Sequence, residues 1–411
     1  MRTLCVAEAY PWPPRGGYEL RLLHQIQALA SLGPVDVLCL GPQRDAADPA
    51  PSGVRVLRAA EDREHPASYW FSRWVRSNLP RRLIRRDFTA ARALIPNLVD
   101  DRYDAVLYCH IDAWLATHDL VSGTGVLDFD NLEHLSIRGR RATGPTLDPN
   151  RSMFARALAQ VRWKAVMLVD RVDERRWYRV QRDAAGQVAA TLVCSELDVA
   201  RSGTNNAVCV PNGYEGDDDR VDEPRARPVA APEAPVFLFV GMLAYEPNSD
   251  AARWFATEVL PLVRRRLAGA RFRIVGRNPE GLAELADLPG VELVGPVDVL
   301  ADELGRADVA VIPIRFGAGT RLKVVEAMAN RLPMVSTTLG CEGIAVSDGV
   351  ELLIADDAPA FAAACVRAAT DSALRDSLVR AAYEGFDTRY RWSIIRRDLA
   401  ALVERVSSAT A

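Results

Sequence analysis

The chain has 411 residues, 49% of them apolar and 7% aromatic, which excludes a disordered or fibrous protein and exceeds one ordinary domain. Its 51 basic and 54 acidic residues leave a net charge of −3, so no global field draws it to nucleic acid and any anion site must be local. Seven cysteines without a CxxC pair read as small buried hydrophobes of a reducing compartment, and five histidines without ligand spacing give no expectation of a metal or other cofactor.

The opening MRTLCVAEAY lacks a basic n-region, a long apolar core and a cleavage site, and no later apolar run reaches the ~20 residues that span a bilayer. A cytoplasmic location is the default expectation. In chain order, TLCVA, VDVLCL, GVRVL, DAVLYC, TGVLDF, ATLVCS and AVCVP are predicted strands. Between the first two, Tyr18 to Ser31 sets Leu22, Ile26, Leu29 and Ala30 at helical spacing and stops at Gly33-Pro34. Strand, helix, strand predicts a parallel sheet.

The stretch from Pro211 to Pro235 is acidic, Arg-Pro punctuated and poor in apolar residues, the composition of an interdomain connection. Beyond it VFLFVG, RFRIVG, VELVG, ADVAVIPI, PMVSTT and ELLIADD are near-continuous apolar strands, as in a sheet covered on both faces. A helix over Asp250 to Leu267 carries Phe255, Val259, Val263 and Leu267 on one stripe, and TRYRWSIIRRDLAALVERV forms a last helix after the second sheet. The prediction is an α/β protein of two doubly wound Rossmann-like domains with a cleft between them: 1–213, a linker 214–235, 236–390, and a helix 391–411 crossing back to the first domain.

The most suggestive stretch is FGAGTRLKVVEAMANRLP, Phe316 to Pro333, where a Gly-rich turn enters a helix; Lys323 and Lys164 are the only lysines in the chain. Gly317 and Gly319 let backbone approach a ligand, Thr320 can cap, and the helix start favours an anion such as a diphosphate. From a helix beginning near Arg321, Lys323 and Glu326 share one face, with Leu322, Val325 and Ala329 on the buried one. A solvated Arg/Lys/Glu face is the plain alternative. The loop PWPPRGGYELR ends a strand with Gly16-Gly17 and suits either an approaching ligand or a simple turn. Walker A, GxGxxG and GxSxG patterns are absent.

With VGMLAYEPNSDAARWF, RFRIVGRNP, VELVGPV, ADVAVIPIRFGAGTRLKVVEAMANRLPMVSTTLGCEGI and DGVELLIADD in this order, the second half closely resembles retaining GT-B glycosyltransferases of the family 4 type. The GG loop, CSELD, the PNG turn and the terminal helix fit the same pattern over nearly the whole chain, more loosely between about Glu61 and Val188. The resemblance implies a nucleotide-sugar donor held by the second domain, a hydroxyl acceptor (a glycan, a lipid-linked sugar or a natural product) held by the first around Gly16, Gly17 and Arg21, and metal-independent transfer with retention.

In that pattern Glu326 matches the glutamate that holds the ribose hydroxyls, whereas the partner glutamate eight positions earlier is replaced by Ala318. The family's basic pair just after the first strand of the second domain, next to Gly241, is likewise replaced by Met242 and Pro247. Arg321 and Lys323 become the expected diphosphate clamp, with Gly317, Ala318, Gly319 and Thr320 as backbone cradle. In the first domain the resemblance points to His110 at a strand end, with Asp128, Asp130 and His134 after the next strand; His110 and Asp130 are the catalytic candidates, and caps or turns are the plain alternative.

The least family-like segment, Ser68 to Phe88, interleaves Tyr69, Trp70, Phe71 and Trp74 with six arginines. It suits peripheral contact with an anionic inner membrane face, or an ordinary helix with core aromatics and solvated arginines, the preferred reading. Rival functions on the same fold are a nucleotide-sugar 2-epimerase and a catalytically silent sugar-nucleotide binder.

Overall fold

The computed structural model describes residues 1–14, 16–41, 51, 53–59, 63–66, 69–142, 153–215, 233–317 and 321–410. They form two compact units, Met1–Pro211 with Ile395–Ala411, and Asn212–Ile394.

In the first unit β1 (Thr3–Ala7), β2 (Val35–Cys39) and β3 (Val54–Arg58) precede a two-stranded antiparallel pair, β4 (Arg63–Glu64) and β5 (Arg86–Asp87), that the sequence did not announce. Then come β6 (Ala105–Cys109), β7 (Thr124–Phe129), β8 (Ala190–Val193) and β9 (Ala207–Cys209). The seven predicted strands make one parallel sheet in the order β3-β2-β1-β6-β7-β8-β9. Every side chain of β1, β2 and β6 is buried, because helices cover both faces. The winding reverses between β1 and β6, which pair in parallel with Ala7 opposite Cys109.

The helix Gly17–Ala30 buries Leu22, Ile26 and Leu29 as its spacing predicts, but Ala30 is exposed. The final helix Trp392–Thr410 belongs to this unit from Ile395 onward, and there Arg396 Nη1 donates to Gln27 Oε1 at 2.8 Å.

The second unit holds β10 (Val236–Val240), β11 (Arg271–Val275), β12 (Val291–Gly295), β13 (Val309–Ile312), β14 (Met334–Ser336) and β15 (Leu353–Ile354), a parallel sheet in the order β12-β11-β10-β13-β14-β15. Its core includes Phe237, Phe255, Phe272 and Phe361, all fully buried; the rings of Phe255 and Phe272 lie 4.4 Å apart. Each such burial contributes about 1.5–3 kcal/mol. Of the predicted stripe, Phe255, Val259 and Val263 are buried, while Leu267 is half-buried past the helix end; the helix runs Glu246–Trp254, widens over Phe255–Val259 and resumes at Leu260–Arg264. Pro261 has no N–H for a helical bond, and Leu260 N donates to Phe255 O, five residues back.

Candidate functional site

Each sheet has a switch point where its strand order reverses, between β1 and β6 and between β10 and β13, and polar side chains gather at both; ligands of such sheets bind beyond the carboxyl ends there. In the second unit that point lies between β10 and β13, and three contacts stitch the loops there. Arg315 pairs with Asp250 through bonds of 3.0 and 2.7 Å. Gly317, at φ +106°, lies so close to Pro247 that an added Cβ would sit 2.8 Å from its Cγ. Lys323 Nζ donates to Asn248 Oδ1 at 2.8 Å, while Asn248 Nδ2 donates to Met242 O at 2.9 Å. Gly241 leaves room for that amide, since a Cβ would meet Asn248 Cγ at 2.9 Å.

The helix after the Gly-rich turn runs Leu322–Ala329, with Arg321 at its N-cap position and no side-chain cap. Its buried residues are Val324, Val325, Ala327 and Met328, which corrects the predicted face: Leu322 and Ala329 are half-buried. The buried strip is wider and turned, because this short helix meets both its sheet and the helix Ser372–Arg389. Lys323 and Glu326 do fall together, outside that strip.

Arg321 is 6% exposed; its Nε donates to Leu339 O and its Nη2 to Gly317 O, both at 3.1 Å. Burial lowers its pKa. Lys323, 5.1 Å from the centre of the Phe239 ring, is pulled down to about 8 by burial and by Arg321, against the opposing charge of Glu326. Burial raises the Glu326 carboxyl, with Lys323 opposing. Ala318, Gly319 and Thr320 lie outside the described residues.

The first unit's cluster straddles β1 and β6. Glu8 follows β1, and His110 follows β6 with its Nδ1 3.4 Å from Glu8 Oε1. His110 has φ +86°, a backbone state rare outside glycine that costs about 1–3 kcal/mol. Burial works against its charged form, but the adjacent Glu8 carboxylate, with Asp130, outweighs it and raises the imidazole to about 9. Asp112, in the first turn of the helix Ile111–Thr117, takes a 2.7 Å bond from Arg82 Nη2 and has Arg86 Nε at 3.5 Å. Burial and Glu8 still push its carboxyl up to about 6.

Glu8, His110 and Asp112 bring ligand atoms within 4.8 Å of one another, with Arg82 and Arg86 as counter-charges. The sequence reading found His110 and missed Glu8, although Glu8 directly follows an unmistakable strand, the same signal that marked His110. It also missed Asn248, whose signal was the EPNSD helix start after β10.

Six other predicted residues fall in different settings. Arg21 is 1% exposed and grips Asp128 through bonds of 2.8 and 2.7 Å, donating also to Val210 O at 2.9 Å. Gln25 Nε2 adds a third bond to Asp128 at 2.7 Å, so Arg21 and Asp128 are tied up inside the unit and not displayed to an acceptor. Asp130, 4.0 Å from Arg21 Nε, keeps a quarter of its side chain exposed. His134 is buried edge-on to Tyr178 as a packing residue. Gly16 caps the helix Gly17–Ala30 in extended conformation with open space around it, and Gly17 is exposed.

Residues 234–371 match the family described as Glycosyl transferases group 1. An uncharacterized 44.6 kDa protein in the cps region of Klebsiella pneumoniae is 31% identical over 134 residues, 30% of this chain and 34% of that protein. The chain therefore spans about a third of the length of that curated relative. Among solved structures, sucrose-phosphate synthase of Thermosynechococcus elongatus aligns over 100% of both chains at 18% identity, TM-score 0.65. WaaG, a glycosyltransferase involved in lipopolysaccharide biosynthesis, aligns over 100% of this chain and 99% of its own at 14%, TM-score 0.60. HepE of Anabaena, solved with UDP and glucose, aligns over 98% and 100% at 13%, TM-score 0.57. The fold is GT-B.

Proposed function

We propose that this chain, a GT-B protein whose residues 234–371 match the group 1 glycosyl transferases, moves a sugar from a nucleoside-diphosphate sugar to an acceptor hydroxyl with retention. One observation carries the reading: two cations, buried Arg321 and half-buried Lys323, stand close enough at the second switch point for Arg321 to depress Lys323, whose ammonium has a neutral amide as its partner. A diphosphate sets further negative charge beside this pair. Arg321, bonded to the Gly317 and Leu339 carbonyls, braces the loop and adds charge from behind, and Lys323 makes the direct contact. Glu326 offers two acceptor oxygens to the ribose hydroxyls.

In the transfer, the acceptor oxygen bonds to the anomeric carbon as that carbon's bond to the diphosphate oxygen breaks, and the hydroxyl proton leaves on the departing diphosphate. Catalysis rests on positioning and on stabilising that leaving charge. His110, kept protonated by Glu8, is assigned to the reacting groups, with Asp130 beside it. Metal independence is part of the proposal, because Arg82 and Arg86 already supply positive charge to the carboxylates a cation would need.

The test is a thermal-shift panel of UDP, GDP, ADP and dTDP with their sugars. One base should raise Tm by mass action, and stabilisation by none of them overturns the reading. Incubating the stabilising donor without acceptor separates an epimerase, which converts it, from a transferase; a silent binder turns it over under no condition.

Peripheral membrane contact is also proposed, on a different element from the one expected. Within Ser68 to Phe88, Arg81, Arg82, Arg85 and Arg86 are engaged by carboxylates, and Trp74 Nε1 donates to Asp173 at 2.7 Å. The long helix Met153–Ala185 instead exposes Met153 (86%), Phe154 (79%) and Leu168 (66%) and has no acid before Asp170, with Arg162 and Lys164 alongside. Among the described residues no helix is long and apolar enough to cross a membrane. Flotation with anionic vesicles should be abolished by Phe154→Ser with Leu168→Ser; absence of flotation by the unaltered protein at low salt ends the idea.

A further inference from the structure

We propose that a cavity of about 690 Å³ in the first unit, between the helix Tyr69–Arg76 and the segment reaching Arg92, takes the phosphoryl group of a phosphorylated acceptor. This rests on the sugar-transfer reading and adds to it the class of acceptor. Four arginines line the cavity, against a single carboxylate, Asp87, which lies 3.9 Å from His65. Arg92 is committed to Asp119 by bonds of 2.8 and 2.6 Å. Arg86 stands 3.8 Å from Glu8 and 3.5 Å from Asp112.

That leaves Arg73 and Arg76, both exposed, which no described carboxylate reaches. They lie three residues apart on a helix without any acid, a like-charge spacing that weakens the helix until an anion sits between the pair. The guanidinium of Arg73 rests 4.4 Å from the centre of the Tyr69 ring, which holds it toward the cavity. Leu83, Ile84 and Phe88 add an apolar wall, so the ligand joins a phosphate to a ring or hydrocarbon body.

Position assigns this cavity to the acceptor. Arg86 belongs both to its lining and to the Glu8–Asp112–His110 cluster, so a phosphate held by Arg73 and Arg76 leaves the rest of the molecule beside His110. The shared chemistry, a phosphate monoester, has two sources: a free sugar phosphate or a lipid headgroup.

The experiment measures binding of glucose 6-phosphate by calorimetry and, separately, of phosphatidylcholine vesicles carrying phosphatidic acid, with phosphatidylserine vesicles as an equal-charge reference. The wild type should bind at least one phosphate monoester saturably and in competition with inorganic phosphate. Arg73→Gln with Arg76→Gln should weaken that binding by ~10-fold or more, as for lost charge-assisted hydrogen bonds, while the exposed pair Arg380→Gln with Arg405→Gln should not. Binding in the soluble arm identifies a free sugar phosphate, and binding in the vesicle arm alone a lipid. No saturable binding in either arm, or equal binding by the Arg73/Arg76 variant, overturns the proposal. Phosphate binding by a protein that no nucleoside diphosphate stabilises would retire the transfer reading alone; nucleotide stabilisation without phosphate binding would retire the cavity alone.

Discussion

The Asn248 amide ties Lys323, beyond β13, to the carbonyl of Met242, beyond β10, through bonds of 2.8 and 2.9 Å. A neutral side chain thus holds a half-buried ammonium at the point where the second sheet reverses its winding, without cancelling its charge.

Replacing Lys323 by Ala should weaken nucleotide binding by ~10-fold or more, the scale of a lost charged hydrogen bond. Asn248→Asp should also weaken it, by giving the lysine a competing carboxylate. With a lysine pulled from 10.5 to about 8, affinity should fall as pH rises through about 8 and the ammonium loses its proton. For stability the sign is opposite: burying the charged lysine costs the fold in full below pH 8, and that cost fades as pH climbs toward 10.5. Calorimetric titration across pH 7 to 9 checks this, and a flat profile would remove Lys323 from the site.

Gly317→Ala should destabilise the second unit by ~1–3 kcal/mol, since alanine is strained at φ +106° and its Cβ would lie 2.8 Å from Pro247. Donor binding should drop with it, because the Arg321 brace ends on the Gly317 carbonyl. Thermal unfolding and nucleotide affinity measured together test this; an unchanged Tm would show that the loop yields freely.

Glu8→Gln should return His110 from about 9 toward the ordinary imidazole range. A histidine raised in the folded state stabilises fully below about pH 6.5 and loses that contribution as pH rises through about 9, so wild type and variant should differ most in acid and converge in alkali. Proton NMR of the imidazole is the direct readout. A His110 still titrating near 9 in the variant would leave Glu8 without its assigned role.

Arg21→Met should cost ~3–5 kcal/mol, because it strands the buried Asp128 carboxylate without its bidentate partner. Asp128→Asn in the same background should recover part of the loss. Chemical denaturation of the single and double variants measures the coupling, and an additive pair would mean that the two groups do not depend on each other.

The amino-acid sequence alone reveals the strands of both large sheets, though not the short pair β4 and β5. Thirteen apolar runs predicted thirteen strands, in sheets of seven and six, because an all-parallel sheet covered on both faces needs nearly every strand residue apolar and leaves that signal in a single chain. It also marked His110, Lys323 and Glu326, since strand ends and helix starts are local features. Which side chains become partners is a matter of how the chain packs. Lys323 and Asn248 are 75 residues apart, Arg21 and Asp128 are 107 apart, and Glu8 meets His110 because β1 happens to pair with β6. Strand order and register set those distances, and neither is written in the periodicity of any one strand. For the same reason Arg21, an arginine on a helix entered through paired glycines, reads as a ligand contact in one dimension and in three is the buried counter-ion of Asp128.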